Sequence, residues 1–472
     1  MEQTKILLLA SEMTPFVSSG GLGEVIGSLP KSLGKNNIDV RVIIPKYKEI
    51  KETHLKDLNF VLNTSITLNN ERKELSVFSK KYDDYTVYFI ENHQYFSRDS
   101  LYAYYDDFER FAFFSRAALE ILPLIEFQPN ILHLNDWQTA LCPIYLDKYY
   151  KKFTFYKNIK TLMTIHNIRY QGNFGADVLY RIGLDYSYFT IDKLEFYGNI
   201  NYLKGALKYA DAISTVSPTY AKEIQSQEFA YGLEGILQER QKDIYGILNG
   251  VDIPNKNPVL SESVDKILDH KKAKKLELQK RLGLDVTDDV PLIAIISRLV
   301  DQKGLSLISH EVLNRNIQLV VLGTGDGHFE HYFRNLQEVM PNKISANIYY
   351  EKNFSDELYF GADMFLMPSL FEPCGLGQIF ALENGTIPIV RSTGGLKDTV
   401  IHYSYETREG NGFVFEDFLT SGLAWGLDEA LNCYYNKENW KQIVSNALNT
   451  DYSWDKSSIE YIKLYEKIIN NK

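Results

Sequence analysis

The strongest constraint on the fold is a series of short apolar runs that do not alternate with polar residues. Each run ends in a Gly-, Asn-, Asp- or Ser-rich turn and leads into a helical pattern. Residues 6–10, 40–44, 85–90, 131–134, 161–165 and 212–216 form one series. Residues 292–297, 318–322, 346–350, 363–367 and 387–390 form a second. A run that is apolar at nearly every position suits a strand covered on both faces. Strands that alternate with helices build parallel α/β sheets. Between the two series, residues 255–289 start with Asn255-Lys256-Asn257-Pro258 and continue as Lys-, Glu- and Leu-rich helical sequence. The chain has 472 residues, enough for two large domains. We therefore expect an α/β protein with two Rossmann-like, doubly wound domains dividing near residue 250. Ligands in such folds bind at the carboxyl ends of strands, and two facing domains would place the site in a cleft.

The net charge of −10 argues against nucleic acid as a partner, because phosphate backbones attract clustered Lys and Arg. It argues against an anionic membrane surface as well. No run approaches the ~20 apolar residues of a membrane span. The apolar start, Ile6-Leu7-Leu8-Leu9, is too short for a signal peptide. Cys142, Cys374 and Cys433 form no CxxC spacing, so neither a disulfide framework nor a zinc site is expected. The expected compartment is the cytoplasm or a plastid-like organelle. Aromatic residues make up 13% of the chain, enough both for core packing and for platforms under sugar rings.

Three strand-end segments carry the chemistry. Ser18-Ser19-Gly20-Gly21-Leu22-Gly23-Glu24 follows the first strand and opens a helix. Glycines there admit an anion to backbone N–H groups at a helix N-terminus, or simply make a tight turn. Ser297-Arg298-Leu299-Val300-Asp301-Gln302-Lys303-Gly304 places two cations after a strand of the second series. They either neutralise a diphosphate or remain solvated on the surface. Pro368-Ser369-Leu370-Phe371-Glu372-Pro373-Cys374-Gly375-Leu376-Gly377 sets a carboxylate between Pro and Gly. Glu372 could bind sugar hydroxyls, stabilise positive charge or cap a helix. Thr393-Gly394-Gly395-Leu396 repeats the Gly-Gly-Leu turn. Asp136 with Trp137, His166 with Asn167, and Asn249 with Gly250 mark further strand ends or turns. No Asp-x-Asp pair is present, which fits charge neutralisation by Arg298 and Lys303 and no metal or other cofactor. Gly323-Thr324-Gly325-Asp326-Gly327 lacks the full GxGxxG form of a dinucleotide loop.

These segments together resemble the bacterial glycogen synthase and starch synthase family (glycosyltransferase family 5). The resemblance rests on Ser11-Glu12-Met13-Thr14-Pro15-Phe16 with Gly20-Gly21-Leu22-Gly23, and on Thr164-Ile165-His166-Asn167 with Tyr170-Gln171-Gly172. It continues through Thr215-Val216-Ser217-Pro218, Tyr231-Gly232-Leu233-Glu234-Gly235 and Leu248-Asn249-Gly250-Val251-Asp252. Ser297-Arg298-Leu299 and Glu372-Pro373-Cys374-Gly375-Leu376 complete it, in order along nearly the whole chain.

The resemblance implies a GT-B arrangement. An acceptor-side domain would span 1–248 and a nucleotide-sugar domain 249–454, with a last helix, 455–472, crossing back to the first. It implies retaining transfer of glucose from ADP-glucose, or another nucleotide-glucose, to the non-reducing end of an α-1,4-glucan. Glu372, His166, Arg298, Lys303 and Asp136 would be the catalytic set. Gly20, Gly21, Leu22, Asn249, Cys374, Gly375, Leu376, Thr393 and Gly394 would join Arg298 and Lys303 in donor binding. Tyr104 and Asn167 would lie on the acceptor side.

Three positions depart from the family pattern. Ser18 stands where a Lys is usual, and Glu24 where an Asp is usual. Ile253-Pro254-Asn255 does not match a Trp-x-Pro element. Ser18 removes a phosphate-binding ammonium, so the alternatives to an active synthase are a degenerate glucan-binding regulator or a related retaining GT-B transferase. Because a charge-assisted contact is worth about 1.5–3 kcal/mol, Ser18→Lys should lower the donor KM by roughly 10- to 150-fold in steady-state assays.

Overall fold

The computed structural model describes residues 3–252 and 257–470, so the departure at 253–255 lies outside the described residues. The chain divides into two compact units, residues 1–250 with 453–472, and residues 251–452.

The N-terminal unit is built on β1 (Lys5–Leu9), β2 (Asp39–Pro45), β3 (Asn59–Leu68), β4 (Glu71–Lys81), β5 (Tyr85–Glu91), β6 (Ile131–Asn135) and β7 (Lys160–Ile165). A small sheet follows from β8 (Asn173–Gly175), β9 (Glu195–Phe196) and β10 (Asn199–Asn201), and then β11 (Ala212–Thr215) and β12 (Ile244–Gly246) return to the main sheet. The main sheet has the order β12-β11-β7-β6-β1-β2-β5-β4-β3. Its strands from β12 to β5 are parallel, whereas β4 and β3 add an antiparallel ribbon at one edge. The apolar-run reading finds the parallel strands and passes over the ribbon. The reason is that β3 is mostly exposed and its sequence is mixed in polarity.

The C-terminal unit holds β13 (Leu292–Ile296), β14 (Gln318–Leu322), β15 (Ile344–Asn347), β16 (Met364–Met367), β17 (Ile387–Arg391) and β18 (Phe413–Phe415). They lie in the all-parallel order β15-β14-β13-β16-β17-β18, the double winding of a Rossmann fold. Successive residues of one strand enter opposite cores. Ile293, Ile295, Leu319 and Val321 pack on one face, and Leu292, Ala294, Val320 and Leu322 on the other. That two-sided burial is the physical origin of the unalternating runs. β15 begins two residues before the run at 346–350, because Ile344 is the buried anchor while Tyr349 and Tyr350 are exposed.

The final helix, Trp454–Asn470, packs with the N-terminal unit against the helix Gly21–Lys35. Trp454, Ser457, Ser458, Tyr461, Leu464, Tyr465 and Ile468 form its buried stripe at helical spacing. Gly250 has no room for a Cβ beside the backbone of Ser453 and Trp454. The Tyr465 hydroxyl is 2.7 Å from Nδ1 of the buried His133, whose Nε2 is 2.6 Å from Thr164 Oγ1. Tyr465→Phe leaves a buried ring nitrogen unpaired and should cost about 1–3 kcal/mol, read as a lowered Tm of the N-terminal unit.

Candidate active site

Both sheets place their polar residues at the carboxyl ends of parallel strands. In the N-terminal unit β1 runs into the buried Ser11 and Glu12. The Glu12 carboxylate accepts hydrogen bonds from the Ser19 backbone N–H, from the Ser19 hydroxyl at 2.7 Å and from the Tyr102 hydroxyl. Ser11 Oγ is 2.8 Å from the same Tyr102 oxygen. This buried carboxylate holds the loop that carries Ser18, Gly20, Gly21 and Leu22. A Cβ on Gly20 or Gly21 would meet no atom within 4 Å, so their backbone faces open space. The Ser18 hydroxyl donates to the Gly20 carbonyl at 3.1 Å, inside its own loop. Glu24 is exposed on the first turn of the helix Gly21–Lys35.

β6 and β7 supply the second group. Asp136 ends β6 with φ of 56°, a left-handed conformation that is unusual for a residue with a side chain. Its N–H donates to the Thr164 carbonyl at 3.0 Å, and its carboxylate accepts the His166 N–H at 2.7 Å. The turn is thereby set so that His166 Nε2 lies 2.9 Å from Asn135 Oδ1. Asn135 in turn donates to the carbonyls of Leu9 and His133. Burial pushes the His166 ring down to about 3, so it is neutral at physiological pH. Burial pushes the Asp136 carboxyl up to about 7, with the nearby Glu12 charge acting in the same direction. Asn167 Oδ1 accepts the Arg169 N–H at 3.0 Å.

Tyr104 is half-buried, its ring beneath the guanidinium groups of Arg98 and Arg110 at 4.8 and 5.0 Å, and its hydroxyl accepts the Ser100 N–H. Tyr102, not singled out by the sequence reading, is the tyrosine that reaches Glu12. Asn249 is buried, and its Oδ1 has no hydrogen-bond partner among the described residues.

The C-terminal unit joins the ends of β13, β16 and β17. Lys303 Nζ lies 2.6 Å from Glu372 Oε2, and the Ser369 hydroxyl donates to the same oxygen at 3.0 Å. The two segments are zipped by Leu370 N–H to the Gln302 carbonyl at 2.9 Å and Gln302 Nε2 to the Phe371 carbonyl at 3.3 Å. Gly304 has φ of 65° and presses on the Pro368 carbonyl, so no side chain fits there. Gly394, also left-handed, meets the Glu372 carbonyl in the same way, and the Gly395 N–H donates to that carbonyl at 3.1 Å. Thr393 begins this turn and is buried. Cys374 is buried, while Gly375 turns left-handed and Leu376 leads into the helix Gly377–Glu383. Gln378 Nε2 fixes the turn by donating to the Cys374 and Gly375 carbonyls, both at 3.0 Å.

The cations expected to act together therefore have different surroundings. Lys303 is engaged with Glu372, whereas Arg298 is exposed and its guanidinium pairs with no other described residue. Asn135, Glu12 and Ser369 escape sequence reasoning because common polar residue types reveal their partners only after folding. The Leu134-Asn135-Asp136 and Pro368-Ser369 strand-end positions are the signal that would have found two of them.

Two Rossmann-like domains with phosphate-type glycine loops, and a lysine–carboxylate pair at the strand ends of the second, define the two-domain GT-B class of glycosyltransferases. The starch synthase catalytic domain family matches residues 5–239, and the group 1 glycosyl transferases match residues 277–447. A glycogen synthase of Clostridium perfringens is 46% identical over 98% of each chain. One from Geobacillus thermodenitrificans is 43% identical over 99% of this chain and 98% of its own. The catalytic domain of starch synthase IV from Arabidopsis thaliana, solved bound to ADP and acarbose, superposes with a TM-score of 0.90 at 32% identity, over all of both chains. The chain belongs to the glycogen synthase and starch synthase family, and it is a glucosyltransferase.

The Asp136 carboxyl gives a pH test. Folding raises its pKa to about 7, so its neutral form is favoured in the folded state. Its contribution to stability is complete below the unfolded value near 3.9 and is lost as pH rises through about 7. His133 and His166, both lowered to about 3, act oppositely and weaken the fold as pH falls below about 6.5. Denaturant unfolding of Asp136→Asn should lose a slope of up to about 1.4 kcal/mol per pH unit between pH 5 and 7 relative to wild type.

Proposed function

We propose that the protein transfers glucose from ADP-glucose to the non-reducing end of an α-1,4-glucan, with retention of anomeric configuration, in the cytoplasm. The observation that carries this reading is the buried Glu372 clamped by Lys303 and Ser369, with the exposed Arg298 on the same post-β13 segment as Lys303. ADP and acarbose in the Arabidopsis neighbour support the choice of ligands.

In this reading Arg298 and Lys303 bind the donor diphosphate and Glu372 accepts hydrogen bonds from the transferred glucose. The Gly375–Leu376 turn and the Thr393–Gly394 turn add backbone donors. Asn249, with its unpartnered oxygen, accepts a sugar hydroxyl. His166, held neutral, and Asp136 belong to the acceptor-side unit with Tyr104 and Asn167. The bond from the anomeric carbon to the phosphate oxygen breaks, and a bond forms from that carbon to the acceptor 4-oxygen. The 4-hydroxyl proton passes to the departing phosphate oxygen, and ADP leaves. Attack from the same face as departure gives retention without a protein nucleophile. Fixed cations stabilise the charge on ADP, and oxygens near the sugar stabilise the cationic carbon. The reaction needs no resident metal, because Arg298 and Lys303 neutralise the leaving group.

A second reading is motivated by Ser18, whose hydroxyl is spent on the Gly20 carbonyl and supplies no charge. On that reading the chain is a glucan-binding regulator, and turnover by the wild type would exclude it.

The test is incorporation of labelled glucose into glycogen from ADP-glucose and UDP-glucose, with product anomer determined. We expect transfer from ADP-glucose, unchanged by EDTA, and reduced about 10²- to 10³-fold by Lys303→Ala. Folded wild-type protein that transfers from neither donor would overturn the reading.

A further inference from the structure

In the C-terminal unit one ammonium is asked to serve two anions. Glu372 is buried, and Lys303 is the one cation within ion-pair distance of it among the described residues. In the proposed reaction the same ammonium binds the donor diphosphate. A cation shared between a carboxylate and a diphosphate holds each less firmly, and the diphosphate charge repels the carboxylate. Held by Lys303 alone, Glu372 would be loosened by the ligand it has to meet.

Ser369 supplies the second hold. It is buried, and its hydroxyl donates at 3.0 Å to Glu372 Oε2, the oxygen that Lys303 also contacts. This donor is neutral, so a diphosphate exerts no net charge attraction on it. The backbone beside it is braced on both sides. The Leu370 N–H donates to the Gln302 carbonyl at 2.9 Å, and the Arg391 guanidinium donates to the Leu370 carbonyl at 2.6 Å. Arg391 ends β17 and is itself fixed, with Nε on the Glu416 carbonyl at 3.3 Å and its guanidinium 5.4 Å from the centre of the Phe418 ring. The Glu372 backbone is anchored separately, by the Gly395 N–H on its carbonyl at 3.1 Å. Both ends of the Ser369–Glu372 contact are therefore tied to the sheet.

The two carboxylate oxygens have different tasks. Oε2 takes both donors, whereas Oε1 accepts no hydrogen bond among the described residues. Anchoring one oxygen fixes the direction of the other, which keeps its full capacity for a sugar hydroxyl. Without the Ser369 hydroxyl, that direction would depend on an ammonium already drawn toward the phosphates.

We infer that Ser369 is a positioning residue for the transferred glucose: it keeps Glu372 Oε1 aimed at the sugar while the donor diphosphate competes for Lys303. The inference rests on the proposed donor. It divides between two residues what the free structure gathers on one oxygen. Lys303 serves the diphosphate, and Ser369 serves the sugar by acting through Glu372.

The test uses the full chain as wild type, Ser369→Ala and Lys303→Ala. Titration calorimetry with ADP and with ADP-glucose, in the absence of any glucan, reads each ligand without turnover. Ser369→Ala should weaken ADP-glucose about 10-fold, the low end of what a hydrogen bond to a charged group is worth, and leave ADP within about twofold of wild type. ADP has no transferred glucose for Glu372 to hold. Lys303→Ala should weaken both ligands, because both carry the diphosphate. In steady state Ser369→Ala should lower kcat about 10- to 100-fold, the effect of a misaimed contact at the reacting centre. An ADP-glucose to ADP affinity ratio that Ser369→Ala leaves within about twofold of wild type would overturn the inference. So would an equal loss of ADP affinity, which marks a general disturbance of the C-terminal unit. A wild type that transfers glucose, with that ratio unchanged in Ser369→Ala, removes this inference alone. A shifted ratio in a protein whose wild type transfers from no donor removes the proposed reaction alone.

Discussion

Everything functional in this protein depends on burying both faces of two parallel sheets. A strand covered on each side can carry a polar side chain only where a buried partner satisfies it, as Thr164 does for His133. Chemistry is therefore confined to the turns at the strand ends, where helix N-terminal amides and loop carbonyls are also gathered. Glu12, Asp136 and His166 follow three strands of the first unit in this way. Arg298, Lys303, Glu372 and Thr393 follow three strands of the second. The parallel core of each unit is both a source of stability and the reason that unit's strand-end residues gather at one edge of its sheet.

Within each unit, close backbone approach fixes the turns. Gly304 against Pro368 and Gly394 against Glu372 leave no space for a side chain, so the segments after β13, β16 and β17 lock together. Lys303 then meets Glu372 without either side chain having to search for the other, and Ser369 shares the load on the same oxygen. The N-terminal unit uses buried polar contacts for the same purpose. Asp136 holds the His166 amide after β7, and Glu12 organises the loop before the first helix. Such networks are rigid when satisfied, and costly when one member is lost.

The N-terminal unit also carries local backbone strain at residues with side chains. Asp136 is left-handed, and its carboxylate holds the His166 amide. Tyr197 and Tyr231 are left-handed at corners that show their rings to solvent. Strain of this sort is spread over the N-terminal unit, while left-handed positions around Glu372 are occupied by glycine, which adopts them freely.

The sequence by itself determined the architecture and the addresses of the chemistry. Unalternating runs suit two-sided strands, and the glycine, proline and charged segments after them suit strand-end turns. The ordered motifs around His166, Arg298 and Glu372 then named the family. The antiparallel ribbon of β3 and β4 was illegible because its exposed face gives a mixed polarity pattern. The three-residue strands β12 and β18 were too short to show any period. Which groups pair was decided only by tertiary structure. Lys303 with Glu372, Tyr102 with Glu12, Asn135 with His166 and Tyr465 with His133 are separated by 69, 90, 31 and 332 residues. Hydrogen bonding acts over about 3 Å, and nothing in a linear pattern records which distant groups the packed core brings that close.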